Sequence, residues 1–171
     1  EVESELAMLR GLDHPHIVRV FESFEGYEYI HIIMDYARGG DLKDVLKKRQ
    51  SEGHKGLESD WLKHCMMQSF AGLQYIHSSG VMHLDIKPAN ILLLNRVSAD
   101  EKPNIVIADF GLADFNSSPA PVIQGANFKG SPLYLAPEGW EGIDRLCTKS
   151  DVWGSRKEVF QNNYKFSISC T

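Results

Sequence analysis

His83-Leu84-Asp85-Ile86-Lys87-Pro88-Ala89-Asn90 sets an imidazole, a carboxylate, an ammonium and a carboxamide close together in one short segment. Val81-Met82 precedes it and Ile91-Leu92-Leu93-Leu94 follows it, two apolar runs that read as short buried strands. Polar chemistry concentrated between buried strands predicts a rigid loop, the setting in which loops carry function. Ile105 to Ile107 is a further apolar run beyond the charged and polar connection Asn95 to Asn104, so it is expected to pair with Ile91 to Leu94 as a hairpin. That pairing brings Asp109, which opens Asp109-Phe110-Gly111, back beside Asn90.

Upstream of the loop, Glu58 to Ser79 reads as one long helix, because Leu62, Met66, Ser69, Leu73 and Ile76 alternate spacings of four and three. Gly80 ends it. His64, Met66, Met67 and His77 read as core or rim residues of that helix rather than as ligands. A shorter helix is expected over about 41 to 50, with Asp41 as its N-cap ahead of Leu42, Val45 and Leu46, followed by a loop over Gly53 to Gly56. Before it, Ile17 to Phe24 and Tyr27 to Met34 are β-rich runs joined at Glu25-Gly26 and predict a hairpin. The chain opens on a helix from about Glu1 to Leu12, with Val2, Leu6, Leu9 and Leu12 on one face, stopped by Gly11 and the Asp13-His14-Pro15 turn.

A chain of 171 residues has room for one domain with a real core, and its apolar and charged fractions are those of ordinary soluble proteins. The formal charge of −5, with the lysines scattered, argues against a nucleic-acid or anionic-membrane surface. Cys65, Cys147 and Cys170 show neither metal-ligand spacing nor a disulfide framework, so reduced thiols in an intracellular, cytoplasmic setting are expected. No apolar run approaches the roughly 18 residues that span a bilayer.

The loop resembles the catalytic loop of eukaryotic protein kinases, whose pattern is H-R-D-L-x-x-x-N; Asp109-Phe110-Gly111 matches their D-F-G and Ala136-Pro137-Glu138 their A-P-E, in the family's order. Lys87-Pro88, and Gly130-Ser131-Pro132-Leu133-Tyr134-Leu135 ahead of Ala136, are similar to the serine/threonine branch, with Ser131 where threonine is usual. Leu84 stands in place of the family arginine, as in some calcium/calmodulin-dependent-type kinases. The resemblance implies an α+β, two-lobed fold. It also implies an incomplete one, because no G-x-G occurs among the fourteen glycines and no V-A-I-K precedes Glu1. The small lobe is thus expected to lack its first strands and the large lobe its last helices. The hairpin would then expose an unpaired strand edge.

The resemblance spans about residues 1–153. After Trp153, Gly154-Ser155-Arg156-Lys157-Glu158 and Asn162-Asn163 read as a pattern that a buried central helix cannot use, so residues 154–171 are expected to form a non-matching tail. Tyr164, Phe166 and Ile168 alternate with polar residues as in a short strand.

By the same resemblance, the function is ATP-dependent phosphoryl transfer to protein serine or threonine, with ATP and Mg²⁺ as cofactors. Such transfer needs a carboxylate to accept the proton of the nucleophile, a divalent metal across the phosphates and positive charge on the moving group. Asp85 on the loop tip is the expected base. Lys87, on the same side of an extended segment, meets the transferring phosphate, and Asn90 and Asp109 supply hard oxygen ligands to the metal. The nucleotide set implied by the family comprises Glu5, Met34, the backbone of Asp35 and Ala37, Asp41 at a ribose hydroxyl, Leu92, Asn90 and Asp109. His83 is implied to be structural, stacking with Phe110, Leu9 and Val20, and Asp151 to tie down the catalytic-loop backbone. Two alternatives stand beside this reading. A non-catalytic kinase-like interaction module is favoured by the absent lysine partner of Glu5, and a small-molecule phosphotransferase of related fold is disfavoured by Gly130 to Glu138.

Overall fold

The computed structural model describes residues 9–54, 57–96, 101–111, 113–115, 131–142 and 145–163, with backbone alone for 114–115 and 157–163. Its N-terminal part is a two-stranded antiparallel ribbon of β1 (Val20–Glu25) and β2 (Ile30–Met34). The turn closes where Gly26 donates its N–H to the Tyr29 carbonyl at 2.7 Å. The predicted hairpin is therefore present but shorter, because Ile17 and Val18 leave it for the core, where they are 2% and 3% exposed. The Val18 N–H donates to the Ile107 carbonyl, and the Ile107 N–H to that of His16, both at 2.9 Å. The ribbon makes no other strand pairing among the described residues, and Tyr27, Tyr29, Ile33 and Met34 stand exposed, as the unpaired-edge reading expects.

Two helices follow. α1 (Leu42–Ser51) starts where Asp41 accepts the Asp44 N–H at 2.8 Å, the N-cap read from sequence. α2 (Ser59–Ser78) lies within a residue of the predicted long helix at each end. Its buried face carries Leu62, Cys65, Leu73 and Ile76, and it packs on the strand that leads to Asp109. Gly72 lets the backbone come close, since a Cβ there would stand 2.9 Å from the His16 carbonyl oxygen.

The segment His83 to Asn90 runs between β3 (Val81–Met82) and β4 (Ile91–Leu93), with one 3₁₀ turn at Pro88–Asn90. β4 pairs antiparallel with β5 (Ile105–Ile107), Ile91 opposite Ile107, as the apolar runs predict. Ile91, Ile105 and Ile107 are completely buried and Leu93 is nearly so. Burial of such side chains contributes about 1.5–3 kcal/mol each, so the hairpin is an energetic centre of the fold as well as the frame of the site. β3 pairs with β6 (Asp114–Phe115), a strand the sequence reading does not contain.

α3 (Pro137–Glu141) starts on Pro at its first position, and α4 (Thr148–Asn163) is the last element. α4 corrects the expectation that the helix cannot continue past Trp153. Gly154 and Ser155 are both buried within it. Gly154 is small because the Ile86 carbonyl lies against it, 2.8 Å from where a Cβ would be, and the Ser155 hydroxyl is satisfied by the Asp151 carbonyl one turn back at 3.1 Å. The apparent helix-breaking pair is thus a close-approach surface. The expected leading helix is described only as helical residues 9–11; its earlier part, including Glu5, and the strand proposed around Phe166 lie outside the described residues. The architecture is an incomplete α+β kinase-like fold: a β ribbon, then a mainly helical body with short antiparallel sheets.

Candidate active site

Asp151 fixes the backbone of the site. Its carboxylate, 1% exposed, accepts the His83 N–H at 2.9 Å and the Leu84 N–H at 2.7 Å. These bonds hold Leu84 at φ +64°, a left-handed conformation that costs a branched residue about 1–2 kcal/mol. The third ligand of that carboxylate is His77 Nε2 at 2.8 Å, a partner the sequence reading placed merely in the core or rim. No sequence signal points to it, because the two residues sit on different helices 74 positions apart.

His83 is structural, as expected. The ring is completely buried, packs 4.7 Å from Phe110, and has both nitrogens occupied. Nε2 donates to the Ala108 carbonyl at 3.0 Å, and Nδ1 lies 3.3 Å from the Asp85 N–H that points to it. That pattern assigns the neutral Nε2–H tautomer. Burial holds the imidazole below the usual histidine range, against the opposing pull of Asp151, the Ala108 carbonyl, Asp85 and Asp109. Leu9, Val20 and Phe110 belong to one buried core.

Asp85, on the loop, is buried. It is 7% exposed, and three hydrogen bonds determine where its carboxylate points. Lys87 Nζ donates to Oδ2 at 2.5 Å, Asn90 Nδ2 lies 3.2 Å from the same oxygen and 2.9 Å from the Asp85 carbonyl, and the Ser131 N–H donates to Oδ1 at 3.0 Å. Lys87 Nζ also reaches the Ser131 hydroxyl at 3.1 Å, which closes the ring of contacts. Lys87 therefore does lie on the side of Asp85, and Ser131 arrives from a segment 46 residues away. A shallow pocket opens beside this cluster, walled by Leu84, Tyr134, Leu135 and Leu146.

Asn90 and Asp109 are brought together by the β4–β5 register, the Ala108 N–H donating to the Asn90 carbonyl at 2.9 Å. Asn90 is buried with its amide nitrogen committed to Asp85, and its Oδ1 has no hydrogen-bond partner among the described residues. Asp109 is exposed, takes φ +64°, and has no hydrogen-bond partner among the described residues. One amide oxygen and one uncommitted carboxylate suit a magnesium ion, which keeps waters and takes few protein ligands.

The connection from β2 to α1 borders the same site. The Asp35 N–H donates to the Arg19 carbonyl at 3.0 Å and its carboxylate accepts the Arg19 N–H at 3.1 Å, so this segment is tied to β1. Arg38 and Gly39 donate to the carbonyls of Leu94 and Leu93, and Leu93 donates to that of Gly40. Asp41 faces Leu92 across an isolated bridge, so Ala37, Asp41 and Leu92 lie along one seam. Met34, at the end of β2, is 43% exposed. One Asp41 oxygen is spent on the N-cap. Gly39 is required here, since a Cβ would fall 2.3 Å from the Asn95 carbonyl oxygen.

Comparison with known proteins agrees with this geometry. The family model described as protein kinase domain matches residues 1–155. The chain is 35% identical over 153 residues to a probable serine/threonine-protein kinase of Dictyostelium discoideum, covering 90% of this chain and 17% of that protein. It is 34% identical over 158 residues to the serine/threonine-protein kinase ATG1b of Arabidopsis thaliana, covering 92% of this chain and 20% of that one. It is 36% identical over 152 residues to the mouse NUAK family SNF1-like kinase 1, covering 89% and 21%. The chain thus spans about a fifth of the length of these curated relatives. With the loop motif folded around Asp85 and the family model covering most of its length, the chain belongs to the protein kinase domain family.

Proposed function

We propose that the protein transfers the terminal phosphoryl group of ATP to serine or threonine hydroxyls of protein substrates. The observation that carries this reading is the Asp85 carboxylate, held by Lys87, Asn90 and the Ser131 amide and lining a small pocket with Leu84 and Tyr134. Asp85 orients the acceptor hydroxyl and takes its proton as the new P–O bond forms. Lys87, within reach of both Asp85 and Ser131, offers positive charge to the phosphoryl oxygens as the bond to the leaving diphosphate breaks. Asn90 Oδ1 and the Asp109 carboxylate are the ligands for Mg²⁺, which when bound neutralises charge on the phosphates. The backbone of Asp35 and Ala37, with Met34, Leu92 and Asp41, is proposed to receive the nucleoside, and Glu5 to take its family role in the small lobe.

The 171-residue polypeptide on its own is proposed to be a weak catalyst, since its sequence contains neither a G-x-G for a phosphate-covering loop nor a V-A-I-K. The test is therefore run with the longest available form of the protein, Mg²⁺-ATP and matched peptides bearing Ser, Thr or Tyr. Transfer to Ser and Thr that vanishes in Asp85→Asn is expected. Transfer confined to Tyr or to small-molecule hydroxyls, or undiminished in Asp85→Asn, overturns the reading.

A further inference from the structure

The turn Asp13-His14-Pro15-His16 lies away from the catalytic loop and carries two imidazoles in contact, their ring centroids 5.5 Å apart. His14 stacks on Tyr75 of α2, with centroids 5.0 Å apart and planes 21° from parallel. His14 Nδ1 accepts the His16 backbone N–H at 3.1 Å, so that nitrogen must be unprotonated and the ring neutral while this bond is made, beside the Ile17 N–H that donates to the His14 carbonyl at 3.1 Å. His16 is under no such constraint. Its Nδ1 lies 3.1 Å from the Ile105 carbonyl, which only accepts, so Nδ1 carries a proton in either charge state.

The same turn is a fastening point. The Asp13 N–H donates to the Tyr75 hydroxyl at 2.9 Å, and the His16 carbonyl accepts the Ile107 N–H at 2.9 Å. These bonds join the β1–β2 ribbon to α2 and to β5, the strand that leads to Asp109.

We propose that residues 13–16 form an acid-released latch, in which protonation of His14 removes the acceptor for the His16 N–H and, with that bond broken, loosens the ribbon from α2 and β5. Burial, and secondarily the neighbouring His16, hold the His14 imidazole below its ordinary value of 6.5. The open or unfolded turn therefore binds the proton more readily than the closed one. The latch's contribution is complete above pH 6.5 and is lost progressively as the pH falls below it. The titratable groups around His14 are Asp13 and His16 on the turn itself and Tyr75 on α2. β5 brings only Ile105, Val106 and Ile107. On the flanks, Arg10 is engaged with Ser23, His77 with Asp151, and Lys102 precedes β5.

The test compares the 171-residue protein with His14→Asn, whose carboxamide oxygen replaces Nδ1 as acceptor without titrating. Amide exchange is followed by NMR between pH 7.5 and 5.5 and corrected for intrinsic rates. In the unmodified protein, protection at the amides of Asp13, His16, Val18 and Ile107 is expected to fall about fivefold further than in His14→Asn, the equivalent of one lost hydrogen bond. Acid effects arising elsewhere are common to both proteins and cancel. Equal losses in the two proteins overturn the proposal. Should His14→Asn fail to fold, the unmodified protein still decides: the ring nitrogen shifts of His14 must report the Nε2–H tautomer at pH 7.5, and the exchange midpoint must coincide with the His14 titration. A different tautomer or a separate midpoint rejects the latch.

Discussion

Replacing Asp151 is the sharpest probe of what holds the catalytic loop in place. In Asp151→Ala the His83 and Leu84 N–H groups lose their acceptor, and His77 loses its partner. A buried donor left unsatisfied costs about 1–3 kcal/mol, so two of them cost about 2–6 kcal/mol. Part of that returns if Leu84 relaxes from φ +64°, releasing about 1–2 kcal/mol of left-handed strain. The expected net loss is therefore about 1–4 kcal/mol, a sizeable share of the ~5–15 kcal/mol that stabilises a typical domain. Asp151→Asn keeps one acceptor oxygen and should lose roughly half as much. Urea unfolding measures the loss as a midpoint lowered by about 0.5–2 M at unchanged slope. Amide exchange at His83 and Leu84 locates it. An alanine variant within about 1 kcal/mol of the unmodified protein, with both amides still protected, would refute the account of Asp151 as the anchor of the loop.

The roles proposed for the two catalytic carboxylates should separate: Asp109→Ala should abolish productive Mg²⁺-ATP use, whereas Asp85→Asn should keep nucleotide affinity and lose turnover, measured by nucleotide titration alongside single-turnover transfer. Equal loss of affinity in both would reverse the assignment. Gly154→Ala should destabilise by about 1–3 kcal/mol in urea, because the new methyl group meets the Ile86 carbonyl oxygen at 2.8 Å and backbone cannot swing aside. His83, held neutral by burial, binds its proton only on unfolding, so stability should be full above pH 6.5 and decline below it. With His14→Asn in place, the remaining slope between pH 7 and 5 should come with proton uptake on unfolding. Finally, phosphatase treatment of active protein should change its activity by less than about tenfold, or ~1.4 kcal/mol, since Leu84 offers no cation to gather a loop phosphate; a larger fall, unaltered by Leu84→Arg, would contradict this.

What the sequence showed in advance was whatever local periodicity or local chemistry encodes. α2 announces itself through Leu62, Leu73 and Ile76, α1 through Asp41, and the β4–β5 hairpin through two apolar runs. Lys87 beside Asp85 follows from alternation along an extended segment. What it did not show was set by contacts distant in the chain. β6 is two residues long, too short to carry a period, and only its pairing with β3 makes it a strand. Ile17 and Val18 have the composition of a ribbon strand, yet the body's core competes for them and takes them. Gly154-Ser155 reads as a helix end until the Ile86 carbonyl is seen to require a residue without a side chain there. The burial of Asp85 was missed for the same reason, because the amide that covers one of its oxygens belongs to Ser131.

Leu84 connects these long-range contacts to the way the site is kept ready. Its N–H is held by Asp151, its backbone sits at φ +64°, and its side chain walls the pocket with Leu135 and Leu146. A cation at this position would stand beside the negative charge of Asp85 and need an anion or water to complete its shell, so the order of the surrounding segment would depend on charge. Leucine substitutes apolar contact, which needs no counter-ion and is little weakened by salt. The backbone at position 84 draws its strain energy from Asp151, and the side chain draws its order from packing. The direction of the Asp85 carboxylate is consequently set by covalent neighbours, by Asn90 and Lys87 in its own loop, and by one amide from Ser131. Of these only Lys87 carries a charge that salt can screen, and its 2.5 Å contact with a mostly buried oxygen limits that screening. The orientation of the Asp85 carboxylate thus rests on hydrogen-bond geometry that the fold itself supplies.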